Sequence, residues 1–185
     1  MKQFMFLLIA FISLTAQAQD KTNYVAYNKL TILEGTTYVL ATVENRSKMR
    51  TENKFLLFIN TLTGESRQID FPKDAFIEKI EQVKIDSFNI NKLIISANTV
   101  NLDGNKSIDW NDPKQIIVCS TDGKEKTQIT EDKFFASFWV VNRQTGVIVI
   151  TGYTDTNNNG KYDRSDKNEI IVYDLKKMSL IKTIE

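Results

Sequence analysis

Two stretches with the same pattern, "KQIIVCSTDGKEKTQIT" (114–130) and "NEIIVYDLKKMSLIKTI" (168–184), lie in the second half of this chain. A third stretch, "KFLLFINTLTGESRQID" (54–70), follows the same order of an apolar run, a polar turn and a second, alternating segment. Apolar runs of this length, bounded by turn residues, predict two strands joined in a hairpin. The sequence therefore predicts a hairpin that is repeated three times along the chain.

A second pair of alternating segments precedes each of these hairpins. Val, Ile, Thr, Phe and Tyr dominate them, as in strands, and no stretch keeps a helical period over three turns. The closest to one, "FPKDAFIEKIEQVKI" (71–85), is predicted to be a connection that runs into a strand. The paired segments are "YVAYNKLTIL" with "TYVLATVEN", "EKIEQVKID" with "KLIISANTV", and "FFASFWVVN" with "VIVITGYT".

Each unit is therefore predicted to hold four strands, A to D, within an all-β fold. The predicted units span residues of about 24–71, 78–130 and 133–184, in a single domain over 19–185. The late hairpins "IIVCSTDGKEKTQIT" and "IIVYDLKKMSLIKTI" resemble the outer hairpin of a β-propeller blade of the WD40-like, TolB-type class, and "FWVVNRQTGVIVITG" resembles the inner one. The resemblance implies blade-like antiparallel repeats, although no Trp-Asp dipeptide closes the third strand.

Three blades are too few to close a ring, because propellers close with roughly four to eight. The sequence leaves three arrangements open: two chains that join into a homodimer of six blades, an open arc with protected edges, or a piece of a larger propeller. A β-sandwich built from the same strands is the alternative fold.

The N-terminal segment 1–18 has the features of a cleavable signal peptide. Lys2 is followed by an apolar run from Phe4 to Leu14 and by the small residues of Ala16-Gln17-Ala18. The run is too short to span a membrane as a helix. The prediction is an exported protein, periplasmic or secreted, with no membrane attachment after cleavage; an N-terminal membrane anchor that is left uncut is the alternative.

Composition excludes several classes of function. Without the segment 1–18 the 24 Lys and Arg become 23, equal to the 23 Asp and Glu, so no basic field attracts nucleic acid. The chain has no histidine, which excludes Ser-His-Asp and Cys-His catalysis. The one cysteine, Cys119, cannot form an internal disulfide, and its apolar surroundings favour a buried free thiol over intermolecular pairing.

The stretch "DTNNNGKYDRSD" (155–166) has the oxygen spacing of an EF-hand loop. Side-chain oxygens fall at positions 1, 3, 5, 9 and 12, a backbone carbonyl at position 7, and glycine, Gly160, at position 6. It resembles the loops of EF-hands and dockerins, without their helices, since strands are predicted on both sides. The predicted calcium ligands are Asp155, Asn157, Asn159, Lys161 through its carbonyl, Asp163 and Asp166.

A second loop, 101–112, repeats this spacing in the preceding unit, with its glycine at Gly104 and Lys106 at position 6, so its bend is predicted to be less well provided for. The first unit has lost the pattern: Ala41, Val43 and Met49 replace ligands, only Asn45 and Glu52 remain, and no calcium is predicted there. The ligands predicted in the second loop are Asn101, Asp103, Asn105, Ser107 through its carbonyl, Asp109 and Asp112.

Calcium in these loops is expected to be structural and weakly bound, and a polar turn without metal is the plain alternative.

Two predictions concern aromatic residues. Trp110 is either an exposed anchor for a sugar or partner, or it is packed on the neighbouring loop, and packing is favoured. The predicted core residues are Phe134, Phe135, Phe138 and Trp139. The expected function is non-enzymatic binding of a protein or glycan. The alternatives are a secreted polysaccharide hydrolase or lyase that uses carboxylates, and a subunit that serves assembly alone.

Overall fold

A computed structural model describes residues 27–46 and 51–185 of the chain. The predicted signal peptide (1–18) and Met49 lie outside this part. The described residues contain no α-helix, so the predicted all-β class is confirmed. The strands are β1 (Tyr27–Ile32), β2 (Tyr38–Arg46), β3 (Thr51–Asn60), β4 (Ser66–Asp70), β5 (Phe76–Ile85), β6 (Ile90–Asn98), β7 (Lys114–Ser120), β8 (Lys126–Gln128), β9 (Phe134–Asn142), β10 (Val147–Thr154), β11 (Lys167–Asp174) and β12 (Ser179–Ile184); a single 3₁₀ turn spans Asp86–Phe88.

The strands form three antiparallel sheets of four, each with its strands in chain order. Sheet I contains β1 to β4, sheet II contains β5 to β8, and sheet III contains β9 to β12. Within each sheet, every strand is hydrogen-bonded to the next one along the chain. The prediction of three four-stranded, blade-like units is thereby confirmed, and the segment 71–85 does run into a strand, β5.

The three sheets are stacked face to face, with sheet II in the middle. Alternate residues of a strand point to opposite faces of its sheet, and β6 shows this directly: Leu93 and Ile95 pack towards sheet I, whereas Ile94 packs towards sheet III. Strand β7 alternates in the same way. Sheet II is therefore buried on both faces, which explains why β6 and β7 are nearly continuous apolar runs.

Two separate cores result, one in each space between the sheets. The core between sheets I and II contains Leu40, Leu56 and Phe58 from sheet I and Leu93, Ile95, Ile117 and Cys119 from sheet II, among others. The core between sheets II and III contains Ile94, Ile116 and Val118 from sheet II and Phe134, Ile148, Ile150, Ile171 and Tyr173 from sheet III, among others.

Cys119 is a free thiol and is fully buried in the first core. Burial raises the pKa of this thiol to about 12, with Lys126 opposing the rise. Since the thiolate is the reactive form, Cys119 serves as a small core residue, as its apolar surroundings in the sequence indicate.

The prediction for one of the core aromatics is wrong. Phe134 and Phe135 are buried and Trp139 is half-buried, but Phe138 is 78% exposed. The register of β9 against β10 shifts between Thr151 and Gly152, so the strict alternation from Phe134 breaks before Phe138. Phe138 consequently points to the outer side of sheet III, where no described element covers it.

Candidate functional site

The two loops with calcium-ligand spacing occupy corresponding corners of neighbouring sheets. The Asn101 loop (101–112) lies between β6 and β7, and the Asp155 loop (155–166) between β10 and β11. The loops also touch: a methyl group added at Gly160 would lie 2.8 Å from Cα of Asp103. Two segments that are well separated in the chain thus form one contiguous surface at the same end of the stack.

The last aspartate of each loop makes the same pair of hydrogen bonds. Asp112 accepts the backbone N–H groups of Leu102 and Asp109, both at 2.8 Å. Asp166 accepts those of Thr156, at 3.3 Å, and Asp163, at 2.7 Å. Each carboxylate therefore ties the start of its loop to its end, and the donors stand at positions 2 and 9 in both loops.

The side chains at positions 3, 5 and 9 also repeat their contacts. Each of them accepts the backbone N–H two residues ahead, which is the Asx turn that Asn and Asp favour. The matched pairs are Asn105 to Asp103 and Asn159 to Asn157, Ser107 to Asn105 and Lys161 to Asn159, and Asn111 to Asp109 and Ser165 to Asp163. The two loops therefore share the same Asx turns, as the repeated spacing predicts.

The bend of the Asn101 loop corrects one interpretation of the sequence. Gly104 has a positive φ of 68°, and its counterpart at position 4 of the other loop, Asn158, has a φ of 59°. Both loops therefore turn at position 4, where Gly and Asn tolerate the left-handed region. Lys106 needs no such conformation, so glycine at position 6 is not needed for this bend. Gly160 also has a positive φ, of 71°, and its lack of a side chain lets the two loops approach each other.

Asp155, at position 1, is the most enclosed charge of the site. It is 1% exposed and accepts the backbone N–H groups of Asn159 (3.2 Å) and Gly160 (2.8 Å). Within the described part of the chain it forms no ion pair. A buried carboxylate with two neutral donors and no cation is costly, which makes this end of the loop the natural place for a positive charge.

Asp163 accepts hydrogen bonds from several residues on the exposed side of the same loop. Its Oδ2 accepts the side-chain amides of Asn157 (2.7 Å) and Asn159 (2.6 Å). Hydrogen bonds from the hydroxyl and backbone N–H of Ser165, and then from these amides, lower the pKa of Asp163 to about 2. Asp163 is therefore ionised at any physiological pH, and positions 3, 5 and 9 converge within hydrogen-bonding distance.

The Asn101 loop is more open at position 1. Asn101 is exposed and donates through Nδ2 to the carbonyl of Asn105 at 2.8 Å, where the other loop has a buried aspartate. Asn105 donates to Asp103 at 2.9 Å and to Asp109 at 3.2 Å. In neither loop, nor elsewhere in 27–46 and 51–185, do three carboxylate or thiol groups lie close enough together to hold a metal ion.

In sheet I, the described residues on both sides of the corresponding connection belong to strands. β2 continues to Arg46 and β3 begins at Thr51, and Asn45 pairs with Glu52 inside this ladder. The replaced positions Ala41 and Val43 and the remaining Asn45 and Glu52 thus lie in strands.

A groove of about 350 Å³ opens beside the two loops, between sheets II and III. Trp110, which projects from the Asn101 loop and is 88% exposed, stands at its rim. The prediction that Trp110 packs on the neighbouring loop is therefore wrong. The groove is also lined by Phe76, Glu78, Asn98, Asp112, Lys114, Phe135, Ala136, Ser137 and Tyr153.

Three aromatic rings form a continuous row from the groove to the Asp155 loop. Phe135 and Tyr153 are stacked with ring centroids 4.6 Å apart, and Tyr153 meets Tyr162 of the loop at 4.5 Å with tilted planes. Burial, and then the charges of Asp166 and Tyr162, raise the pKa of Tyr153 to about 12, so its hydroxyl stays protonated. The loop and the groove are thus one packed unit.

An ion pair between Lys114 and Glu78 forms the polar side of the groove. Lys114 lies 2.7 Å from Glu78, and the hydroxyl of Ser96 donates to the same Glu78 oxygen at 3.2 Å. The hydrogen bond from Lys114 is the main reason why the pKa of Glu78 is lowered. Glu78 therefore stays ionised.

The sequence pointed to the loops and to Trp110 but not to the rest of this groove. Phe76 and Glu78 begin β5, whereas Phe135 and Ser137 belong to β9. Nothing in the local pattern of these strands marks them as binding residues, since they alternate like any half-buried strand. Only the stacking of sheets II and III brings them together.

Comparison with known proteins adds little to this description. No protein-family model matches the chain, and no curated protein matches it. Among solved structures, the acylaminoacyl peptidase of Pyrococcus horikoshii is similar over 88% of this chain, with a TM-score of 0.44 and 13% sequence identity. The chain spans 25% of the length of that peptidase. No helix among the described residues is both long and apolar enough to cross a membrane.

Proposed function

We propose that this protein is an exported, non-enzymatic binding module with WD40-like, TolB-type β-propeller repeats, in which calcium stabilises the Asp155 and Asn101 loops and the adjoining groove binds a glycan. The observation that carries the proposal is the contact between two loops that share the hydrogen bonds made by their side chains at positions 3, 5, 9 and 12, beside an aromatic groove. The support for export is the signal-like sequence of the segment 1–18.

The Asp155 loop supplies the ligand chemistry that calcium prefers. Calcium takes six to eight oxygen ligands from carboxylates, side-chain amides and carbonyls. Because the three carboxylates of this loop do not lie together here, calcium would require Asp155, Asp163 and Asp166 to converge with the amide oxygens of Asn157 and Asn159 and the backbone carbonyl of Lys161. The corresponding set in the Asn101 loop has two carboxylates at its end, Asp109 and Asp112, one at Asp103, and Asn101 in place of the buried aspartate.

The unpaired charge of Asp155 supports this assignment. Its two backbone hydrogen bonds leave further lone pairs on both oxygens, since each carboxylate oxygen has two acceptor sites. The amide oxygens of Asn157 and Asn159 each accept one backbone N–H and likewise keep a second lone pair.

The groove has the composition of a sugar-binding site. Aromatic faces stack on the apolar faces of sugar rings, while charged and amide side chains bind hydroxyl groups. Exposed Trp110 provides such a face, and Glu78 with Lys114 provides both a fixed acceptor and a fixed donor. A polysaccharide hydrolase or lyase instead needs a carboxyl group free to exchange a proton. Both groove carboxylates are engaged, Glu78 by Lys114 and Asp112 by backbone N–H groups, which favours binding.

Calcium is expected to raise the melting temperature of the protein. With a dissociation constant of about 10⁻⁴ M, about 10 mM calcium stabilises the folded state by roughly 2.7 kcal/mol, or about 5–10 °C for a chain of this size. Asp163→Ala should reduce the difference between calcium and EDTA in a thermal melt, and Asp163→Ala combined with Asp109→Ala, its counterpart in the Asn101 loop, should abolish it. Asp86→Ala, which removes a carboxylate far from the loops, is the matched control and should keep it. Identical melting curves in calcium and EDTA would remove the metal from the proposal.

Trp110 is expected to dominate ligand binding. Its removal by Trp110→Ala should weaken binding of the best ligand from a panel of soluble oligosaccharides about tenfold, which corresponds to about 1.4 kcal/mol. Leu62→Ala removes an exposed apolar side chain (79% exposed) outside the groove and should leave affinity unchanged. Isothermal titration calorimetry measures both variants against the wild type. A panel in which no oligosaccharide binds the wild type would contradict the glycan assignment and favour a protein ligand.

A further inference from the structure

Sheet III turns an apolar face outward. The face of a sheet that points to the next sheet in the stack is here called its front face, and the opposite one its rear face. On the front face of sheet III, Phe138 is 78% exposed and Val140 is 62% exposed. Val149 and Val172 lie in register with Val140 across the sheet and are only partly covered. No element among the described residues packs against this face.

Sheet I leaves its rear face open in the same way. Leu30 is 68% exposed and Ile32 is 75% exposed on strand β1. Val39 pairs with Ile32 and with Ile59, which continues the apolar row across the sheet. Exposed apolar area of this extent is unusual unless it marks an interaction surface.

The exposed rear face matches the buried rear faces position by position. Cross-strand pairing aligns one residue from each of the four strands of a sheet into a row. In each of the three rows compared here, the first three residues are apolar and the fourth is polar. In sheets II and III these rows are buried or half-buried at their apolar positions, because a front face lies against them. The rows are Leu30–Ala41–Leu57–Gln68 in sheet I, Ile80–Ile95–Ile117–Gln128 in sheet II and Trp139–Ile150–Ile171–Thr183 in sheet III.

The exposed front face of sheet III also has buried counterparts in sheets I and II. Its central pair, Val149 with Val172, corresponds to Leu40 with Phe58 in sheet I and to Ile94 with Val118 in sheet II. Those two pairs are buried against the rear face of the following sheet. The stack of described sheets therefore ends with one face of each kind, a front face without a rear partner and a rear face without a front partner.

We propose that a second copy of this chain covers both faces, with the front face of sheet III in one protomer packed on the rear face of sheet I in the other. The two internal joints of the chain, I on II and II on III, are the established examples of this contact. A front-to-rear contact is heterologous and forms a closed ring when its rotation closes. Two copies supply six sheets, within the roughly four to eight with which propellers close.

The oligomeric state tests this proposal independently of calcium and glycan. Light scattering of the mature chain should give twice the mass of one chain. Val140→Lys on the front face and Ile32→Lys on the rear face should each give a folded monomer, because both side chains are already exposed within one protomer. Leu62→Lys is the matched control: Leu62 is 79% exposed in the turn after β3, on neither face, and this variant should stay dimeric. A folded wild-type monomer, or a dimer that survives both lysine variants, would overturn the proposal.

Cross-linking distinguishes a front-to-rear contact from a symmetric one. In a Cys119→Ala background, Val140→Cys and Ile32→Cys each introduce a thiol on one face. Disulfide-linked dimers should form when the two variants are unfolded, mixed and refolded together under oxidation, and not in either variant alone. Cross-linking within a single variant would show that like faces meet, and an open series of larger species would show that the ring does not close; either result contradicts the closed dimer.

Discussion

Phe58→Ala is expected to cost about 3–5 kcal/mol of unfolding free energy, as for other fully buried phenylalanines. Phe58 is 0% exposed and lies in the core between sheets I and II. It also supports the turn between β7 and β8, since an added methyl group at Gly123 would lie 2.6 Å from its ring. The ring therefore fills the joint between two sheets, and its loss leaves a cavity that neither sheet can close alone.

Urea denaturation followed by circular dichroism measures this loss. Leu62→Ala is the control, because Leu62 is 79% exposed and its truncation should change stability by less than about 0.5 kcal/mol. If sheet I unfolds on its own, Phe58→Ala will split the transition in two. A loss below about 1 kcal/mol would mean that sheets I and II do not share the core described for them.

Gly160→Ala is expected to destabilise the protein by about 2–5 kcal/mol, from the sum of two costs. Gly160 has a φ of 71°, and a side chain in this region costs about 1–2 kcal/mol. The new methyl group would also lie 2.8 Å from Cα of Asp103. Backbone atoms cannot move aside as a flexible side chain can, so the Asp155 loop must separate from the Asn101 loop at a further cost of about 1–3 kcal/mol.

Gly104→Ala separates these two costs. Gly104 has nearly the same φ, 68°, but nothing lies within 4 Å of a methyl group added there. The free energy of unfolding of this variant should therefore fall only by the backbone contribution, about 1–2 kcal/mol. Denaturation of the two variants side by side gives the energy of the contact between the loops as their difference. Equal losses would show that the loops do not press on each other at Gly160.

Much of the architecture is local and was therefore predictable from sequence. Alternation in "FFASFWVVN" and "VIVITGYT" predicts strands, and β9 and β10 have those bounds. The same spacing of Asp and Asn in 101–112 and 155–166 predicts two equivalent loops. These loops make equivalent hydrogen bonds because Asx turns depend on near neighbours in the chain. Where the ligand pattern is lost, around Asn45 and Glu52, the chain forms longer strands instead.

Only the tertiary structure decided the features that arise where one sheet packs against another. Phe134 and Phe138 belong to the same aromatic strand, yet one is buried and the other exposed, because the register shift in β9 places Phe138 on the front face, which no described element covers. The groove beside Trp110 joins strands that are far apart in the chain, and the contact of Gly160 with Asp103 depends on how two sheets are rotated in the stack. Strand pairing and turn formation involve near neighbours, whereas burial, grooves and contacts between loops arise from packing across sheets, which local alternation does not specify.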